Sequence, residues 1–166
     1  MKKFLMPLLI IVFAVQIFVP AYTIWERYDV LSTGQEIRMR VEPLDPYDAF
    51  RGRYVSLSFV DNNIMYSYNE GKYGVYETDS EGFAVLSYVT NEKPVGETYL
   101  VSKHDNYFRV PLDRYYMEEN LAPKAEKALS GNAGAYVTVR VKGDKSVISG
   151  LYIDGKPAEE WLEDME

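Results

Sequence analysis

The sequence predicts a mainly β protein. It should have one antiparallel β-sandwich or barrel-like domain with a short helix, preceded by a single N-terminal transmembrane helix. Three observations predict this fold. Residues 4–25 form one apolar run without a charged side chain. Short segments that alternate apolar and polar residues, separated by turn-forming residues, recur through residues 35–153. Residues 123–129 have the start and stop signals of a soluble helix.

The apolar run begins after Lys2 and Lys3 and ends before Glu26, so it is long enough to cross the hydrocarbon core, which takes about 20 residues. The basic residues before it and Trp25 at its end favour a cytoplasmic amino terminus and an interfacial anchor on the far side. A cleaved signal peptide is the alternative, because residues 19–21 fit a cleavage site. The run is longer than a typical signal core, which favours an uncleaved anchor.

Both interpretations export the rest of the chain. We therefore expect residues 1–25 to be the membrane anchor or uncleaved signal anchor, and residues 26–166 to be an extracytoplasmic β domain. The formal charge is −7, and once Lys2 and Lys3 are set aside, 16 of the 18 basic side chains remain against 25 acidic ones. Such acidity argues against nucleic acid as a partner, because phosphates require clustered Lys and Arg. The absence of cysteine excludes disulfides, thiolate metal sites and thiol catalysis.

The first two strands are predicted from clean alternation. Residues 26–34 connect the anchor to the domain. In residues 35–42, Ile37, Met39 and Val41 alternate with charged side chains, which indicates a half-buried strand. A second strand over residues 54–60 places Val55 and Leu57 on one face, with polar side chains on the other.

The remaining strands are predicted at residues 64–68, 73–77, 83–90, 97–103, 107–110, 136–141 and 147–153. Residues 83–90 are apolar on both faces, which predicts a central strand. Lys142-Gly143-Asp144-Lys145 joins the last two strands and predicts a hairpin. Residues 123–129 begin with proline and precede Gly131, as expected for a short helix.

The carboxyl end is strongly acidic. Residues 157–166 are predicted to form a short helix in which Trp161 and Leu162 pack on the sheet while the glutamates stay in water. The alternative is a peptide that this end offers to a partner.

The turn between the first two strands is the candidate binding site. Proline fixes φ there, aspartate can bond its own backbone, and glycine can reach φ > 0. Its candidate binding residues are Asp45, Asp48, Arg51, Gly52, Arg53 and Tyr54. Arg51 could be the bidentate donor to a polar ligand. The alternative is a rigid turn satisfied by its own hydrogen bonds and salt bridges, in which both carboxylates stay ionised.

We expect no catalytic residues, no metal site and no cofactor. His104 is the sole histidine and lies in a polar loop. Residues 77–82 resemble the start of a calcium loop, but Tyr88 occupies the twelfth position, so we interpret them as an acidic turn. An acid-pair hydrolase that uses Asp45 and Asp48 is the least supported hypothesis, since nothing in the sequence indicates that either carboxyl group is desolvated.

Arg51-Gly52-Arg53-Tyr54-Val55-Ser56-Leu57-Ser58-Phe59 resembles the signature of the GDYXXLXY family of membrane-anchored bacterial proteins. Other landmarks of the family resemble residues 31–36, 43–46, 110–116 and 150–157. Two positions depart from the signature. Arg53 stands where the family name has aspartate, which reverses a charge, and Phe59 replaces the closing tyrosine, which removes only a hydroxyl.

The resemblance implies an accessory of a polytopic membrane protein, and no activity is assigned to the family. With the anchor and 15 tyrosines in an acidic chain, it predicts a membrane-anchored extracytoplasmic binding domain. The alternative function is binding of an envelope glycan or small ligand, because tyrosine rings stack on sugars while Asp and Arg bond hydroxyls. The sequence leaves the oligomeric state open.

Overall fold

The structure is a computed structural model that describes residues 2–43, 54–60, 70–104, 107–118, 120–131 and 134–164. It confirms a mainly β fold that follows a long N-terminal helix. The elements of the described part are α1 (Lys2–Thr33), β1 (Gln35–Pro43), β2 (Tyr54–Phe59), β3 (Tyr73–Thr78), β4 (Ala84–Thr90), β5 (Thr98–Val101), β6 (Arg114–Tyr116), α2 (Ala122–Gly131), β7 (Tyr136–Lys142), β8 (Lys145–Ile153), β9 (Lys156–Pro157) and α3 (Ala158–Glu163).

The strands form two antiparallel sheets. The larger has six strands in the order β6-β2-β1-β7-β8-β9, and the smaller has three in the order β4-β3-β5. The chain therefore returns from β2 to β6, past the smaller sheet, before it completes the larger sheet with β7, β8 and β9. The sheets share one core, to which the smaller sheet contributes Tyr76, Ala84 and Leu100.

Alternation sets the buried face of the larger sheet. Ile37 and Met39 of β1 are buried, and the register places them opposite the buried Val139 and Val137 of β7. Successive side chains of a strand point to opposite faces, so this register puts both sets on one apolar side. The predicted strands over residues 35–42 and 54–60 are confirmed in place and in orientation.

Both short helices cover this core. Ala122, Ala125 and Leu129 of α2 are buried, the three-and-four spacing of one helix face. Leu162 of α3 is also buried and Trp161 packs against the same core, as predicted for the carboxyl end.

Helix α1 is longer than the sequence predicted. The predicted connector at residues 26–34 is helical up to Thr33, so α1 does not end at Trp25. Pro20 consequently lies in the helix interior rather than near its end. The reason is tertiary, because Val30 in the added turns is buried against the domain. One segment of α1, Leu9–Thr33, is long and apolar enough to cross a membrane.

Two strand predictions are wrong in the smaller sheet and beside it. Residues 84–90 form an edge strand rather than a central one, and Val85 and Tyr88 are exposed. Residues 107–110 are not a strand. The buried hydroxyl of Ser102 donates to the Tyr107 carbonyl over 2.9 Å and accepts from the Arg109 N–H over 3.2 Å, so these backbone groups bond a side chain instead of a strand. The strand predicted at residues 64–68 lies outside the described residues.

Candidate functional site

Five of the six predicted binding residues lie outside the described residues: Asp45, Asp48, Arg51, Gly52 and Arg53. The acid-pair hydrolase, which needs two of them, therefore stays a prediction from the sequence. Tyr54 is described, and it opens β2 opposite Tyr116 of β6. The two ring centroids are 5.8 Å apart, and the guanidinium carbon of Arg114 lies 4.8 Å from the centroid of the Tyr54 ring. Tyr54 is thus joined to an arginine–tyrosine group on the neighbouring strand.

The rest of the signature in β2 serves the core. Leu57 and Phe59 are 5% and 1% exposed, so both are packing residues. A tyrosine at position 59 would bring a hydroxyl into this apolar interior, where it costs free energy without a hydrogen-bond partner. The departure at Phe59 is therefore compatible with the fold.

The arginine–tyrosine group borders a cleft of about 690 Å³ beside the end of α1. We call it the α1 cleft. Its walls come from four places: the last turns of α1, the end of β5, the segment that leads into β6, and the start of β8. The lining residues are Glu26, Arg27, Val30, Val101, Lys103, Pro111, Leu112, Asp113, Arg114, Tyr115, Tyr116, Asp144, Lys145, Ser146, Val147 and Ile148.

Charged side chains fix the α1 wall to the β7–β8 hairpin. Lys142 Nζ lies 2.6 Å from a carboxylate oxygen of Asp29 and donates to Thr33 Oγ1 over 2.8 Å. Lys145 forms an ion pair with Glu26. Two lysines at the hairpin end therefore hold successive turns of the helix.

The turn from α1 into β1 leaves no room for a side chain at Gly34. The N–H of Gly34 donates to the Val30 carbonyl over 2.9 Å, and a Cβ there would overlap that oxygen. The same Cβ would lie 3.1 Å from the Val141 carbonyl oxygen. Arg140 donates to the Gly34 carbonyl over 3.1 Å. Helix α1 and strand β7 thus meet backbone against backbone at this glycine.

The turn of the same hairpin is bound to the smaller sheet. Asp144 is 2.8 Å from Lys93 Nζ and accepts a hydrogen bond of 2.9 Å from the Tyr99 hydroxyl. The bond from Lys93, followed by the bond from Tyr99, lowers the pKa of Asp144 below its usual value. This acid of the α1 cleft is therefore already neutralised by a lysine outside the lining.

Asp113 interacts with two cations at longer range. It lies 3.5 Å from Lys103 Nζ and 3.8 Å from Arg114 Nε, both long for a direct hydrogen bond. A hydrogen bond to the Tyr116 hydroxyl, with the nearby Tyr54, raises the pKa of Arg114. One carboxylate thus partly balances two cations.

Arg27 is exposed and makes no ion pair with any residue that the structure describes. Together with Lys103, Arg114 and Lys145 it supplies four cationic lining side chains, against three acidic ones. The cleft therefore has a local positive surplus in a chain whose net charge is −7.

Tyr115 is the half-buried tyrosine of the cleft lining. Its hydroxyl donates to Glu159 of α3 over 2.9 Å, and burial, reinforced by that carboxylate, raises the Tyr115 pKa. The Tyr115 hydroxyl therefore stays protonated near neutral pH and positions β6 against α3 rather than acting as a base.

Residues 77–82 and His104, which the sequence analysis also considered as candidate functional residues, have structural roles. The side chain of Asp79 accepts the backbone N–H groups of Glu81 and Phe83, each over 2.9 Å, so residues 77–82 end in an acidic turn as predicted. His104 is exposed and stacks on Tyr107 with ring centroids 4.5 Å apart. Among the described residues, no group of three or more His, Asp or Glu side chains could hold a metal ion.

The sequence did not predict the α1 cleft, because its residues come from parts of the chain that only the fold brings together. The sequence identifies residues 110–116 only as a family landmark and Lys142-Gly143-Asp144-Lys145 only as a turn, and it assigns neither to a site. No sequence signal connects Arg27 or Lys103 to them, since Arg27 lies in the predicted connector and Lys103 at the end of a predicted strand.

Comparison with known protein families finds one described as GDYXXLXY protein, which matches residues 16–151. A search of curated proteins and of solved structures finds no match. The matched span runs from the apolar part of α1 into β8, so it contains the whole α1 cleft as well as the β2 signature. Because it covers most of the chain, the protein belongs to the GDYXXLXY family.

Proposed function

We propose that the protein is a membrane-anchored extracytoplasmic binding domain, without catalytic activity, that acts as an accessory of a polytopic membrane protein. One observation carries this proposal. Helix α1 passes from its apolar run into the β domain without a break, and its last turns are held by the β7–β8 hairpin and by Gly34. A partner that packs on α1 in the bilayer would therefore meet the β domain at a fixed height and orientation.

The apolar part of α1 supports a helix-packing role. Its large side chains are exposed rather than packed on the domain, and Phe18, for example, is 69% exposed. In a bilayer such a helix is free to associate with other helices through van der Waals packing. The Tyr22 and Trp25 rings, 6.1 Å apart, would suit the membrane–water interface at the end of the span.

A photo-crosslinking residue tests the partner. The full chain in its native membranes carries the crosslinker at Phe18 or, as the control, at Val95, which is 92% exposed on the domain. We expect position 18 to give a reproducible adduct with a membrane protein and position 95 to give none. If position 18 yields only lipid adducts while the chain stays in the membrane, the accessory role is wrong.

Topology is tested separately by a reporter that works only outside the cytoplasm, fused after Glu166. We expect an active fusion that remains with the membrane after a salt wash. An active reporter when the fusion is instead placed before Lys2 would reverse the proposed orientation.

The α1 cleft favours small-ligand binding as a second candidate function. Its volume of about 690 Å³ lies within the usual range for small-molecule sites. The Tyr54 and Tyr116 rings beside Arg114 add surfaces on which a sugar could stack. Melting the full chain in detergent with soluble cell-wall disaccharides tests the glycan form of this idea, since a ligand that binds only the folded state raises Tm. An unchanged Tm at millimolar disaccharide would exclude useful affinity.

A further inference from the structure

We propose that the α1 cleft binds the phosphate of a phospholipid headgroup. This inference rests on the proposed membrane anchoring and names the ligand class of the second candidate function. Position, charge and the chemistry of the walls each support it.

The α1 wall lies at the depth of headgroups. Glu26, Arg27 and Val30 follow Trp25 directly on one continuous helix. At about 1.5 Å of rise per residue, Val30 lies roughly 7.5 Å along the helix axis from Trp25. The headgroup zone on each side of a bilayer is about 5–8 Å thick, because about 40–45 Å of membrane surrounds about 30 Å of hydrocarbon. With Trp25 at the interface, the cleft opens into that zone.

The charges of the cleft suit one phosphate. Arg27 has no ion pair among the described residues, and a guanidinium can donate two parallel hydrogen bonds to phosphate oxygens. Lys103 and Arg114 share Asp113 at 3.5 and 3.8 Å, so their positive charge is only partly balanced. The rest of the chain is acidic and would be repelled by an anionic membrane surface. Headgroup binding would thus be confined to this cleft.

The apolar lining suits a lipid better than a free phosphate. Leu112 and Ile148, which are partly exposed, lie among the charged side chains that line the cleft. Such a surface can contact the glycerol and upper acyl carbons of a phospholipid while the cations contact its phosphate. Inorganic phosphate would leave those apolar side chains unused.

The full chain, purified in a neutral detergent, is titrated with phosphatidylglycerol, and bound lipid is counted by native mass spectrometry. We expect the parent protein to retain one lipid molecule. Arg27→Gln combined with Lys103→Gln should weaken its binding by about tenfold or more, because two charged donors are lost. Arg27→Lys keeps the charge but loses the bidentate geometry, so it should weaken binding less than the double variant does.

Two kinds of control accompany the titration. Arg38→Gln with Lys127→Gln removes the same charge from exposed positions outside the cleft and should bind within about twofold of the parent. Diacylglycerol, which lacks phosphate, and glycerol phosphate, which lacks acyl chains, should each bind more weakly than phosphatidylglycerol. Equal losses of lipid affinity in the two double variants would overturn the proposal. So would diacylglycerol or glycerol phosphate binding as tightly as phosphatidylglycerol.

The outcome is independent of the accessory role. If the cleft double variant melts below the parent, the lipid affinity of Arg27→Lys alone tests the proposal. This single variant should fold normally, because Arg27 is exposed and unpaired among the described residues. Lipid binding in micelles needs neither a protein partner nor a known orientation. A failed crosslink at Phe18 with intact lipid selectivity would contradict the accessory role and leave the headgroup site standing. A successful crosslink without lipid selectivity would support the accessory role and contradict the headgroup site.

Discussion

The two sheets are held in different ways. The six-stranded sheet buries alternate side chains along β1, β2 and β7 in a continuous apolar core. The three-stranded sheet contributes few side chains to that core and exposes Val85 and Tyr88 along its β4 edge. Polar bridges attach it, namely Arg40 to Asp79 and Tyr99 to Asp144. Apolar burial therefore dominates in the larger sheet, whereas the smaller one is held by a few core side chains together with polar bridges.

The largest expected effect is in the larger sheet. Phe59→Ala removes a ring that is 1% exposed and should lower the free energy of unfolding by about 3–5 kcal/mol through lost burial and a cavity. Val85→Ala, on the exposed edge of the smaller sheet, should change it by less than about 0.5 kcal/mol. Urea unfolding of both variants measures the contrast. Equal losses would mean that the two sheets share their stability evenly.

The junction between α1 and the larger sheet comes next. Gly34→Ala forces a Cβ against backbone atoms of Val30 and Val141, so either the helix or the hairpin must shift. We expect a loss of about 1–3 kcal/mol, the usual cost of overpacking. Ser32→Ala, on the exposed side of the same turn, is the control and should remain near the parent value. A Gly34→Ala protein with the parent's stability would show that the junction can open at little cost.

Arg40 tests the polar attachment of the smaller sheet. Its guanidinium lies 2.8 Å from Asp79, 2.6 Å from Glu81 and 4.1 Å from the Phe83 ring centroid. Because its side chain is 35% exposed, solvent screening limits the loss on Arg40→Gln to about 1 kcal/mol. Arg38→Gln is the matched control. If Arg38→Gln lost more stability than Arg40→Gln, Arg40 would not be the residue that attaches the smaller sheet.

The smallest effect is a pH dependence. Bonds from the Phe83 N–H and then from Arg40 lower the pKa of Asp79 in the folded state. A depressed carboxyl pKa stabilises the fold above the unfolded pKa of about 3.9, and that contribution disappears as the pH falls through the folded value. Asp79→Asn should therefore melt below the parent near neutral pH and converge with it in acid. Melting curves at several pH values would refute this if the difference stayed constant.

Local sequence patterns were sufficient to predict those elements whose geometry depends only on neighbouring residues. Alternation located β1 and β2 because burial of one sheet face imposes a period of two. The β7–β8 turn was also readable, since Gly143 has φ 56° at the first central position, where a type II′ turn requires glycine. Asp154-Gly155 between β8 and β9 is an equally strong turn signal in the sequence. Both of its residues have positive φ, as in a type I′ turn.

The apolar span of α1, the alternating strands with their buried faces, the short helices and the family could all be predicted from the sequence, because each depends on neighbours along the chain. Tertiary structure alone decided that β4 lies at an edge and that α1 continues to Thr33, because both depend on what packs beside them. It also decided the α1 cleft. Arg27 and Lys103 are 76 positions apart in the chain, and only the docking of α1 on the hairpin brings them to one surface.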